Sequence, residues 1–384
     1  LLPKPKTIKE QDGQMLLCHS THIVMTKEVA ETEMHAAKRL QEAIRQETGL
    51  ILPFSVGEVR EGDLSLGIAK TLPEQTYEIT IDEKGGQISG GDGAGVLYGV
   101  ETFCQIVQQC GGILPCVQIQ DAPDMPNRGY YFDQTRGRVL KLEELKKIAD
   151  RMCRYKLNQL QLYVEHTYLF RDFSEMWRDQ TPLTAEEILE LDSYCRERHI
   201  ELVPSLASFG HLCTLLSTKT YGDLCEMEDS WKEPFSFWNR MRYHTINVSD
   251  ERSLPLIKKM IAEYMQLFSS NKFNICADET FCLGKYKSKK LAEERGVHRL
   301  YIDYVKELAQ FLVENGKIPM FWGDIIWNSP ELMKELPESM ICLNWGYAPE
   351  QREDETRAIA QTGAVQYLCP GVCGWNQWAN LIEN

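Results

Sequence analysis

From residue 129 onward, short apolar runs alternate with amphipathic stretches, and no other feature restricts the fold as much. The runs are Tyr130–Asp133, Gln161–Val164, Glu201–Leu206, Phe273–Ala277, Pro319–Trp322, Met340–Asn344 and Val365–Leu368. A strand that is apolar throughout, rather than at every second residue, is covered on both faces, which is the mark of parallel sheets. Between the runs lies helical spacing. Leu142, Leu145, Ile148, Ala149 and Met152 form one stripe, and Leu300, Tyr304, Val305, Leu308 and Leu312 form another that stops at Gly316. Thr184-Ala-Glu-Glu187 reads as a capping box, in which Thr and Glu side chains satisfy the free N–H groups of a helix start. Repetition of this unit predicts an α/β fold, a (β/α)8 TIM barrel with seven strands visible. A doubly wound sheet is the alternative, but no Gly-x-Gly-x-x-Gly follows any strand.

The texture before residue 122 is different. Leu64, Leu66 and Ile68 alternate, as do Tyr77, Ile79 and Ile81, and Glu83-Lys84-Gly85-Gly86 is a turn signal before Gln87-Ile88-Ser89. These predict a hairpin in an antiparallel sheet with one buried face. Ala36, Ala37, Leu40, Ala43 and Ile44 predict a helix ending at Gly49, and Val100, Phe103, Ile106 and Val107 a second one. The prolines of Asp121-Ala-Pro-Asp-Met-Pro126 separate the two textures. The expected division is a small α+β domain over 1–122 and a barrel domain over 123–384. No eighth strand is visible after Trp375, so the barrel is expected either to be cut short at its C-terminus or to close by another route.

Composition excludes some functions. The formal charge of −14 argues against nucleic acid, which needs clustered Lys and Arg. No stretch reaches the roughly 18 apolar residues of a membrane span. No signal peptide is visible in Leu1–Glu10. The 13 cysteines form no Cys-x-x-Cys, and several, such as Cys276 and Cys342, stand inside apolar runs as small hydrophobes. Free thiols in a reducing, cytoplasmic compartment are expected, with no metal and no cofactor.

Chemistry in such barrels stands just beyond the C-terminal ends of the strands. There the chain places Asp133-Gln-Thr-Arg136, Glu165-His166-Thr167, Ser208-Phe-Gly-His211, Asp278-Glu279-Thr280, Trp322-Gly-Asp324 and Trp345-Gly-Tyr347, and then Pro370-Gly371 before Trp375. The adjacent pair Asp278-Glu279 is the sharpest of these. Neighbouring strand residues face opposite ways, so both carboxylates enter one site only where strand gives way to loop. Two carboxyls about a reacting centre are what glycoside hydrolysis requires. An Asp-Glu pair is commonly just solvated, but here an apolar strand leads directly into it. Trp322, Trp327, Trp345, Trp375 and Trp378 crowd the last strand ends, where aromatic faces can stack on sugar rings or simply pack the barrel. Taken alone, His211 also fits a loop histidine and Arg136 a surface ion pair. The run Trp231–Arg242, in the long gap between the third and fourth strands, reads either as a lid or as an insertion over the barrel.

Three motifs resemble glycoside hydrolase family 20, the β-N-acetylhexosaminidases: Arg128-Gly-Tyr-Tyr-Phe-Asp-Gln-Thr-Arg136, Phe209-Gly-His211 and Ala277-Asp278-Glu279. Gly95-Val-Leu-Tyr-Gly99-Val-Glu-Thr102 is similar to the small domain that commonly precedes that barrel. The resemblance implies a retaining exo-hydrolase of terminal β-linked N-acetylglucosamine or N-acetylgalactosamine, acting through an oxazolinium intermediate made by the substrate's own acetamide. It implies that Asp278 orients the acetamide and Glu279 is the acid/base. Arg136 would grip outer hydroxyls, His211 would bond the acid/base, and Asp324 would reach a hydroxyl. Trp322, Trp345 and Trp375 would wall the pocket, and Tyr347, with Tyr367 as rival, would bond the acetamide. The family's second strand often ends His-Leu-Thr-Asp-Asp, where this chain has Tyr163-Val-Glu165-His166-Thr167, so Glu165 and His166 are expected to take over contacts to His211. Cys276-Ala277 replace the usual Gly-Gly. The expected partner is carbohydrate, with no nucleic acid and no membrane, and a second copy could complete the rim. The competing readings are a non-catalytic sugar-binding barrel and a glycosidase with an ordinary carboxylate nucleophile, drawn from Asp278 and Glu279 or from Glu165 and Glu279.

Overall fold

The computed structural model describes residues 1–348 and 352–372. By internal packing the chain divides into residues 1–130 with 142–160 and 191–201, and a second unit made of the remaining described residues.

The first unit holds a seven-stranded sheet made of β1 (Thr7–Leu16), β2 (Ile23–Met25), β3 (Phe54–Val56), β4 (Leu64–Ile68), β5 (Tyr77–Asp82), β6 (Gly85–Gly90) and β7 (Ile113–Asp121), in the order β1-β7-β5-β6-β4-β2-β3. The hairpin is β5–β6, with Ile79 opposite Ile88. The sheet as a whole is mixed rather than antiparallel, because β2 pairs parallel with both β3 and β4, and β4 parallel with β6. The helices Lys27–Thr32 and Met34–Thr48 carry the chain back to its starting end before β3, and a parallel pair needs such a crossover. Gly49 closes the second of them at φ 76°, a left-handed cap that glycine adopts without strain. The helix Gly93–Cys110, capped by the Asp92 carboxylate on the Gly95 N–H at 2.7 Å, is buried from Ala94 to Val107.

The second sheet runs in chain order through β8 (Gly129–Asp133), β9 (Gln159–Val164), β10 (Glu201–Leu206), β11 (Lys272–Asn274), β12 (Ile318–Trp322), β13 (Ile341–Gly346) and β14 (Val365–Pro370). From β10 to β14 every neighbour pair is parallel. This is the seven-stranded (β/α) barrel sheet that the apolar runs predict. Every residue of β9 is buried, as are the first four of β13. Half-exposed β8 and β14 are the sheet's edges among the described residues, where one flank of each strand has no strand neighbour. Only the fourth strand is shorter than its apolar run, ending at Asn274 rather than Ala277. The capping box forms as predicted: Glu187 N–H donates to Thr184 Oγ1 (3.2 Å) and Thr184 N–H to the Glu187 carboxylate (2.8 Å). The described cysteines are unpaired, and no described helix is long and apolar enough to cross a membrane.

Thr184→Ala should destabilise by about 1 kcal/mol, the usual size of a lost N-cap. Thermal unfolding would show a lowered midpoint, with Thr184→Ser close to the parent.

Candidate active site

The turn after β11 builds the site. Past Asn274 the backbone takes left-handed values at Cys276 (φ 58°), Ala277 (φ 62°) and Glu279 (φ 48°). Each such non-glycine residue costs on the order of 1 kcal/mol or more, so the surroundings must hold it. They do so at both ends of the turn. The Asn274 side chain accepts the Cys276 N–H (2.8 Å) and donates to Gln161 Oε1 (3.1 Å). Tyr301 Oη donates to the Ala277 carbonyl (3.0 Å), and the Glu279 N–H donates to Asp324 Oδ2 (2.9 Å). The two-residue alternation of a strand is thereby broken, and Asp278 and Glu279 turn toward the same imidazole. Cys276 and Ala277 hold the conformation that glycines adopt freely, so their small size alone does not make them equivalent to Gly-Gly.

That imidazole is His211, also left-handed (φ 59°) and only 3% exposed. Its Nε2 lies 3.2 Å from Glu279 Oε2 and 3.4 Å from Asp278 Oδ2, within ion-pair range though outside hydrogen-bond geometry. Glycine is required just before it, because a Cβ on Gly210 would stand 2.5 Å from the Asp278 carbonyl oxygen. Phe209 anchors the loop by packing between the rings of Tyr301 and Tyr304, at 5.6 and 4.3 Å.

Charge in this cleft is distributed unevenly. Burial alone would lower the His211 pKa, but Asp278, Glu279 and Glu165 outweigh it and push it up to about 10. Burial would likewise raise Asp278, yet His211 and Arg136 hold it below the usual carboxylate range. Asp324 goes the other way, pushed up to about 8 by burial first and then by the charge on Asp278. At neutral pH the proton therefore resides on Asp324, while Asp278 is an anion.

The remaining expected residues fall into three groups. Arg136 donates from Nε to Asp133 Oδ2 (2.6 Å), lies 4.7 Å from the centre of the Tyr163 ring, and places Nη1 3.3 Å from Met241 Sδ. Trp322 is buried edge-on to Tyr131 at 4.9 Å. Trp345 packs between Trp327 (6.2 Å) and half-exposed Tyr347 (5.2 Å), and the indole N–H groups of Trp327 and Trp345 are buried with no partner among the described residues. Asp324 spends one oxygen on the Glu279 backbone, and its other oxygen, Oδ1, is buried with no partner among the described residues. Tyr367 lies on β14, opposite Leu343. Trp375 and Trp378 lie outside the described residues.

One expectation needs correction. Glu165 and His166 make no hydrogen bond to His211. Glu165 instead accepts from Tyr163 Oη (3.0 Å) and Arg240 Nη2 (2.9 Å), and His166 Nδ1 pairs with Thr214 Oγ1 (3.2 Å). A glutamate on this strand reaches the inserted segment rather than the loop of His211. Arg240, Met241, Asp133, Tyr163, Tyr301 and Trp327 are site residues that reading the strand ends did not assign. Arg240 and Met241 do fall in the run Trp231–Arg242 that the long gap had singled out.

Two family models match the chain: "Glycosyl hydrolase family 20, domain 2" over residues 1–122, and "Glycosyl hydrolase family 20, catalytic domain" over residues 126–372. The chain belongs to glycoside hydrolase family 20. Among curated proteins it is 24% identical to a β-hexosaminidase of Porphyromonas gingivalis, over 97% of this chain and 50% of that one. It is 26% identical to a β-hexosaminidase of Vibrio furnissii, over 73% and 48%. It thus spans about half the length of the curated relatives it matches. Its fold is shared with a chitobiase of Flavobacterium johnsoniae (TM-score 0.81, 20% identity, 97% of this chain and 59% of that one). It is shared as well with a β-N-acetylhexosaminidase of Streptomyces coelicolor (TM-score 0.78, 19%, 96% and 74%). The matched residues, and the family 20 fold, run through both units.

Two outcomes follow from the geometry. Gly210→Ala should lose nearly all ligand binding by this cleft in calorimetry, since the Cβ displaces the backbone that carries Asp278. Stability should fall as pH rises. Folded Asp324 keeps its proton up to about 8 and folded His211 up to about 10, whereas the unfolded chain releases both at lower pH. Melting points should therefore decline between neutrality and pH 10, and in Asp324→Asn the decline should be shallower only up to about pH 8, beyond which His211 alone carries it.

Proposed function

We propose that the protein is a retaining exo-β-N-acetylhexosaminidase that cleaves terminal β-linked N-acetylglucosamine or N-acetylgalactosamine by substrate-assisted catalysis. One observation carries this reading: adjacent Asp278 and Glu279 both face one buried imidazole, with Asp278 held as the anion. In the reaction, the acetamido oxygen attacks the anomeric carbon of its own sugar. Asp278 hydrogen-bonds the amide N–H and stabilises the positive charge that spreads over the forming oxazolinium ring. Glu279 donates its proton to the departing oxygen, then removes one from the water that opens the ring. His211, positively charged, pairs with the Asp278 anion and stands 3.2 Å from Glu279, where it meets the charge that Glu279 gains on giving up its proton.

Arg136, Trp322, Trp345 and Tyr347 form the sugar pocket in this reading. The two unpartnered indole N–H groups are donors suited to a hydroxylated ligand, and protonated Asp324 can offer Oδ1 to a hydroxyl. Membership of family 20 and the β-hexosaminidases among the relatives support the assignment. The other glycosidase reading has less support in the form that uses Glu165 and Glu279, because Glu165 is already engaged by Tyr163 and Arg240. The setting we propose is reducing and cytoplasmic, for which the unpaired cysteines are the support.

The test is chromophore release from aryl N-acetylglucosaminide and N-acetylgalactosaminide, with the glucoside as control. Acetamide participation requires the glucoside to be cleaved far more slowly, and equal rates would exclude it. Glu279→Gln should slow unactivated substrates by roughly 100-fold or more, the range of a lost general acid. A thiazoline mimic of the oxazolinium should inhibit the parent competitively. A protein that binds N-acetylglucosamine without turnover would be a sugar-binding barrel instead.

A further inference from the structure

The segment between β10 and β11 puts two consecutive side chains into the site from the helix Phe237–Arg242. Arg240 Nη2 donates to Glu165 Oε2 at 2.9 Å, and Met241 Sδ lies 3.3 Å from Arg136 Nη1. Glu165 is 3% exposed, and its other oxygen accepts from Tyr163 Oη at 3.0 Å. The Tyr163 ring is the surface on which the Arg136 guanidinium rests, 4.7 Å from its centre. Thr135, the neighbour of Arg136, accepts the Glu165 N–H at 3.0 Å and donates to or accepts from Thr167 at 2.9 Å. A continuous chain of contacts thus runs from Arg240 through Glu165 and Tyr163 to Arg136.

We propose that Arg240 is a positioning residue for sugar binding: by pairing with Glu165, it holds the Tyr163 surface that orients Arg136. The inference rests on the functional reading above. Without Arg240, Glu165 is a buried carboxylate left with the Tyr163 hydroxyl and with His166 at 3.9 Å, and close enough to act on His211. A buried charge stripped of its partner is strongly unfavourable, whereas removing both charges is far less so. The carboxylate would leave Tyr163 or draw in Arg136, and the guanidinium would lose its place. Contacts to outer hydroxyls persist from the bound substrate to the transition state, so their loss appears in KM more than in kcat.

The experiment compares kcat and KM on an aryl N-acetylglucosaminide for the parent, Arg240→Met, Arg240→Lys, Glu165→Gln and the double variant Arg240→Met/Glu165→Gln. Calorimetric affinity for N-acetylglucosamine, which needs no turnover, is measured alongside, with melting points for each. Arg240→Met should raise KM and weaken sugar affinity roughly tenfold or more, the scale of a hydrogen bond to a charged group, with a smaller change in kcat. Arg240→Lys should fall between, and the double variant should recover much of the loss because no lone charge remains. Parent KM and affinity in Arg240→Met would overturn the proposal. So would a double variant as impaired as Arg240→Met, which would reduce the role of Arg240 to packing. If Arg240→Met does not fold, Arg240→Lys and the double variant decide on the same criteria. An inactive parent that binds sugar overturns the catalytic reading alone, since the affinity comparison still decides the role of Arg240.

Discussion

Everything in the barrel's cleft depends on how its buried negative charge is balanced. Asp278, Glu279, Asp324, Glu165 and Asp133 stand against three cations, His211, Arg136 and Arg240. Two unit charges about 4 Å apart interact by roughly 4 kcal/mol at an effective dielectric near 20, so no carboxylate in such a set can be placed without a partner. The imbalance is resolved in two ways. His211 stays protonated between the two central carboxylates, and Asp324 keeps a proton of its own. The result is an ionised Asp278 ready to meet positive charge, beside a Glu279 whose backbone is held by the carboxyl that carries the proton.

The same constraint explains the backbone. Two adjacent carboxylates share one site only if the chain abandons strand geometry, and the turn from Cys276 to Glu279 does so with three left-handed residues that carry side chains. The conformation is held from four directions, by Asn274, Tyr301, Asp324 and the close approach of Gly210. Strain here is therefore shared among several loops, and the two carboxylates inherit the rigidity of β12, of the helix carrying Tyr301 and of the loop after β10.

Much of this was legible beforehand, for identifiable reasons. The inner barrel strands, β9 above all, announce themselves because burial on both faces leaves no polar alternation, and the hairpin at Glu83-Lys84 because its strands do alternate. Asp278, Glu279, His211, Arg136, Trp322, Asp324, Trp345 and Tyr347 are legible by position, at or just past strand ends. The mixed character of the first sheet was not legible, since parallel pairing of β2 with β3 and β4 depends on crossovers rather than on residue pattern. The partners of Glu165 were not legible either. Arg240 lies 75 positions away in an irregular insertion, and nothing local marks which of its several basic residues turns inward.

By itself, the sequence determined the class of fold, the family and the stretches in which the strands lie, because periodicity and short motifs are local properties of the chain. Tertiary structure alone decided which of those residues carry charge, which face one another and which are held by distant partners. The reason is physical: a carboxyl's protonation and orientation are set by burial and by neighbours far along the chain. Asp324 on the Glu279 amide and Arg240 on Glu165 are both such long-range contacts.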